Sequence, residues 1–169
     1  IYSACATSIE GIILGSSLID SGKVKNVITS TSSHNMSSEK QFRNPTEYGA
    51  PKPKTATFTA TGGASMLLTL ENTGIKVESS TIGRILDYNQ TDPLNMGSVM
   101  APAAADTIYR HLKDMNREPN YYDLILTGDL GLYGKEILID FMKTEYGIDI
   151  SSNYNDCGVM LYDLETQKE

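Results

Sequence analysis

Cysteine, histidine and basic residues are all scarce in this chain, and each shortage removes a class of function. Two cysteines cannot build a disulfide framework, nor the Cys-rich ligand set of a structural zinc site. Fourteen Lys and Arg stand against 21 Asp and Glu, giving a formal charge of −7. The clustered cations that phosphate binding needs are missing, which argues against a nucleic-acid partner. There is no run of about eighteen apolar residues, so no segment reads as membrane-spanning, and peripheral contact with a membrane protein stays open. No P-loop, dinucleotide fingerprint or metal-ligand spacing occurs. No secretory leader is visible either, and a reducing compartment is the expected setting.

What is present suits a globular domain with its own core: 169 residues, 40% of them hydrophobic. Ile9, Ile12, Ile13, Leu18 and Ile19 keep helical spacing, with Thr7 or Ser8 as the opening cap and Gly22 as the closing one. Val24 to Thr31 reads as a buried strand. Ser32 to Lys54 is a long polar connection with three prolines, of the kind that serves a site or an interface. Thr55 to Thr61 and Ala64 to Leu70 read as strands broken apart by Gly62-Gly63, and Ile75 to Val77 and Thr81 to Tyr88 as further strands. Pro102 suits the first turn of a helix whose apolar face is Ala105, Ile108, Tyr109, Leu112 and Met115. A strand over Asp123 to Thr127, a helix over Lys135 to Tyr146 and a strand over Cys157 to Leu164 complete an α/β pattern with a largely parallel or mixed sheet.

Cys5 draws attention first. In Ser3-Ala4-Cys5-Ala6-Thr7-Ser8 a thiol flanked by small residues stands where a strand turns into a helix. The N–H groups and positive dipole there would lower its pKa or hold an anion, whereas the plainer alternative is a small buried residue that packs. Nucleophilic use needs a base. His34 follows a strand end and is within reach of a site, while His111 reads as a solvated residue on the polar side of a helix. The Gly-rich turn Thr127-Gly128-Asp129-Leu130-Gly131 stands at a strand end, where ligands meet open α/β sheets, and it offers a carboxylate. Asp129 there either meets a ligand, bonds a buried group or caps the next helix. Cys157, in the compact turn Asn155-Asp156-Cys157-Gly158, reads as packing.

Ser3-Ala4-Cys5-Ala6 opening a helix resembles the nucleophile turn of the thiolase and β-ketoacyl synthase superfamily. Longer strings are similar to one branch, the stage V sporulation protein AD family of endospore-forming bacteria. These are Thr31-Ser32-Ser33-His34-Asn35, Gln41-Phe42-Arg43-Asn44-Pro45-Thr46-Glu47-Tyr48-Gly49 and Met96-Gly97-Ser98-Val99-Met100-Ala101-Pro102. Tyr122-Asp123-Leu124-Ile125-Leu126-Thr127-Gly128-Asp129 and Asp156-Cys157-Gly158 add to them. The resemblance implies an α/β, thiolase-like layered fold, with mixed sheets and helices on both faces. It also implies a two-lobed parent about twice this length. Residues 1–78 would be the remainder of the N-terminal lobe and 79–169 the first part of the C-terminal lobe. The missing initial Met and the strand-like ends agree with that expectation.

The resemblance further implies a non-catalytic protein that binds dipicolinic acid for uptake into the developing spore, with Ca2+ as the ion that would accompany it. The expected ligand residues are Cys5, Ser3, Thr7, His34 and Asp129. The expected partners are membrane proteins of the same sporulation operon and a second copy of the chain, with the protein peripheral at the inner spore membrane and the 32–54 excursion in the dimer interface. The alternative is an acyltransferase of the β-ketoacyl synthase III type, with Cys5 as nucleophile. Condensing enzymes carry a histidine in the turn matching Thr127-Gly128-Asp129. Its loss would remove about 3–4 kcal/mol of transition-state stabilisation, roughly a hundred- to a thousand-fold in rate.

Overall fold

The computed structural model describes residues 3–34, 55, 57, 59–72 and 74–163. The chain divides into two compact units, Ile1–Phe42 with Thr59–Ser80, and Arg43–Phe58 with Thr81–Glu169.

In the first unit helix α1 (Thr7–Asp20) packs on a two-stranded antiparallel sheet of β1 (Asn26–Ser33) and β2 (Gly62–Thr69). Glycine lets the layers meet: a Cβ on Gly15 would lie 2.7 Å from Leu68 Cδ1 and 3.1 Å from Val27 Cγ1, and one on Gly11 3.5 Å from Thr29 Cβ. Gly15 meets Val27 and Leu68 besides Thr29, whereas Gly11 meets Thr29 alone, and only residues 21–25 join the two elements, so α1 runs antiparallel to β1. Four helical residues rise about 6 Å, close to two strand residues. The start of α1 and the end of β1 therefore share one end of the unit. On the sheet's other face Ile28 and Leu67 sit opposite each other and are exposed. Gly22, at φ +72°, closes α1 as read, through bonds from Gly22 N–H to Ile19 O (2.9 Å) and from Lys23 N–H to Leu18 O (3.3 Å).

The second unit is built from α2 (Met96–Met115), β3 (Ile125–Thr127), α3 (Gly131–Tyr146), β4 (Tyr154–Asp156) and a short α4 (Cys157–Leu161). Strands β3 and β4 pair in parallel, so α3 is the crossover that returns the chain to the same end. Its core joins Ala101 and Ala105 of α2 to Leu138 and Met142 of α3, with Leu130, Ile150 and Tyr154. The two helices touch backbone to backbone. A Cβ on Gly97 would overlap the carbonyl oxygen of Leu130 and stand 3.0 Å from Gly134 Cα. The antiparallel and parallel pairs together make the mixed α/β architecture expected of a partial thiolase-like fold.

Several boundaries differ from the sequence reading. Strand β1 lies two residues later than expected. Gly62 and Gly63 belong to β2 instead of breaking it, because they pair with Ser33 and Ser32. Among the described residues of 55–61 there is no ladder, and Thr55 donates its hydroxyl to Leu94 O (2.7 Å). Residues 75–91 form no strand among those described. Residues 81–90 are held by side chains of α2 instead. Thr81 bonds His111, Gly83 lies against Thr107, Arg84 grips Asp106 through two bonds of 3.0 and 2.7 Å, and Gln90 reaches Ser98. Contacts on α2 fall as this segment rises, so it lies antiparallel to α2. The guanidinium of Arg84 holds the Asp106 carboxyl below its usual range.

Pro102 sits inside α2 rather than in its first turn. The helix begins six residues earlier, where the Asn95 side chain accepts from Ser98 N–H (3.3 Å), and the proline simply withholds one ladder bond. Helix α3 starts one turn early, at Gly131. Cys157–Leu161 is helical rather than a strand, because the Asp156 side chain caps it. Residues 35–54, most of the excursion expected to form part of the dimer interface, lie outside the described residues.

Replacing Gly97 with Ala in the intact protein should cost about 1–3 kcal/mol, since the new methyl meets backbone that cannot yield. Glu136→Ala, on the exposed side of α3, should stay within about 0.5 kcal/mol. Denaturant titration of the two variants checks the difference.

Candidate functional site

Cys5 stands in a short 3-10 turn, Ala4–Ala6, that leads directly into α1, and its residue surface is exposed. The turn is tied locally. Ser3 N–H donates to Thr7 Oγ1 (2.9 Å), the Thr7 hydroxyl donates to Ala4 O (2.8 Å) and Ala6 N–H to Ser3 O (2.9 Å). Ala4 takes φ +46°, a conformation that a residue with a Cβ adopts only against a steric penalty. That strain falls on the residue just before the thiol. The N-cap of α1 is Ala6, without a side-chain bond, so neither Thr7 nor Ser8 caps the helix; Thr7 spends its proton on the turn. His34 follows β1 and is exposed, and the antiparallel packing puts it at the same end of the unit as Cys5. An open cavity of about 730 Å3 lies at the other end, lined by Ser17, Asp20, Leu70, Glu71 and Val77.

In the second unit the parallel strand ends converge on one carboxylate. Asp156, fully buried, accepts from Gly158 N–H (3.0 Å) and Val159 N–H (3.2 Å) on Oδ1, and from Leu130 N–H (2.8 Å) and the Thr127 hydroxyl (3.0 Å) on Oδ2. Because Thr127 donates to Asp156, the Tyr154 hydroxyl donates to Thr127 Oγ1 (2.8 Å). Burial pushes the Tyr154 phenol up to about 12, so it keeps its proton. Asp129 Oδ1 accepts from Gly131 N–H (3.0 Å), and its carboxylate lies where a side chain on Gly158 would be. Burial also pushes the Cys157 thiol up, and the Asp156 and Asp129 carboxylates push it further. A thiol shifted this way is a poor nucleophile. The Cys157 residue surface is exposed, so its reading as a packing residue is not met, although the raised thiol still argues against chemistry there.

Ser3, Cys5 and Thr7 are thus brought together, with His34 at the same end of the first unit. Asp129 belongs to the second unit, where it supports a turn. Among the described residues no three His, Cys, Asp or Glu side chains converge as a metal site. Sequence reasoning passed over Asp156, although Asp just before a short apolar run is a recognisable helix start. It also misplaced His111. That ring is half-buried and bonded on both nitrogens, to Thr81 Oγ1 (2.8 Å) and to the Tyr122 hydroxyl (2.5 Å), and is not a solvated surface group.

Asp156→Asn tests the four-donor arrangement. Whichever way the amide is turned, its NH2 faces a pair of donors, so the variant should lose about 2–4 kcal/mol despite its matching shape. An equilibrium unfolding curve superimposable on the parent's would contradict this assignment.

No helix among the described residues is long and apolar enough to cross a membrane. The family model for Stage V sporulation protein AD (SpoVAD) matches residues 1–169. The chain is 46% identical over 166 residues to Stage V sporulation protein AD of Bacillus subtilis (strain 168), an alignment covering 98% of this chain and 49% of that relative. It therefore spans about half the length of the curated relative it matches. With a family match over its full length and identity at this level, the chain belongs to the stage V sporulation protein AD family.

Proposed function

We propose that the protein containing this chain is a non-catalytic member of the thiolase-like group that binds dipicolinic acid for its uptake into the developing spore. The observation that carries the reading is the turn Thr127-Gly128-Asp129. Where condensing enzymes hold an imidazole it offers a carboxylate, and that carboxylate is engaged with backbone. A thiol without its electrophilic partner serves better as a pocket floor than as a nucleophile. Dipicolinate is a flat dianion with two carboxylates on a pyridine ring. N–H groups at the uncapped start of α1, with Ser3 and Cys5, suit one carboxylate, and His34 lies at the same end to meet the ligand. Calcium is proposed as an ion that travels with the ligand. A peripheral place at the inner spore membrane, beside membrane proteins of the same operon, and a homodimer complete the proposal.

One observation favours the acyltransferase reading. The strained Ala4 directly before an exposed Cys5 is the kind of backbone outlier that presents a nucleophile.

Calorimetric titration of the intact protein with dipicolinate, with and without Ca2+, distinguishes the two. Binding should occur and weaken in Cys5→Ala; equal affinity in parent and variant would remove Cys5 from the pocket. Incubation with acyl-CoA followed by intact-mass measurement should give no adduct. A stable adduct that disappears in Cys5→Ser would establish the enzyme instead.

A further inference from the structure

We draw no further inference here: the strongest candidate, the surface patch that the exposed Ile82 and Ile85 give the segment beside α2, is an unpartnered apolar face, and nothing in the structure shows what covers it.

Discussion

The second unit depends on a buried carboxylate that has traded water for four protein donors. An ionised Asp156 without them would be untenable at full burial, so the chain is obliged to bring two separate segments to it. One is the turn after β3, through Thr127 and Leu130, and the other is the start of α4, through Gly158 and Val159. The parallel pairing of β3 with β4 places those segments side by side. The carboxylate then fixes their register more tightly than two three-residue strands would. The same demand makes Cys157–Leu161 a helix: a side chain that accepts two successive N–H groups has capped a helix, and strand continuation is lost.

The first unit solves a different problem. Here a strained residue, Ala4, aims the chain into α1, and Thr7 closes the turn behind it. The strain is local and is offset by a helix docked through Gly11 and Gly15 on Val27, Thr29 and Leu68. The two units thus present contrasting turns. One exposes a thiol on a strained backbone; the other hides a carboxylate in a satisfied one.

How much was legible in the sequence follows from how local each signal is. Gly22 and the apolar spacing of α1 and α3 are short-range patterns, and the elements they announce are present. Pro102 misled because proline is commonest in a first turn, whereas Asn95 was the effective start signal. Residues 81–88 have a strand's composition, yet no ladder forms there. What decides strand from coil is a partner, and side chains of α2 take that role from beyond sequence range. His111 was misread for the same reason. Its helix face is polar by pattern, but Thr81 and Tyr122 lie 30 and 11 residues away in the chain. Cys5 was found because a thiol between small residues at a helix start is visible in any single sequence. Asp156 was passed over because its role lies in donors gathered from two turns.

Electrostatics set the terms on which a dianion approaches such a protein. The chain carries −7, and both carboxylates of the second turn are committed: Asp156 by four donors and Asp129 by Gly131 N–H. Lone pairs used in this way are poorly placed to ligate calcium, which takes about six to eight oxygens. In the binding reading an ion arriving with dipicolinate would therefore draw its oxygens chiefly from the ligand's own carboxylates and from water. The repulsion between a free dianion and an acidic protein is then reduced before contact, because the chelate is neutral as a unit. What remains for the first unit is recognition of shape and of hydrogen-bond acceptors. In that reading the exposed Cys5 and the small residues around it suit this task, and a committed carboxylate pair does not.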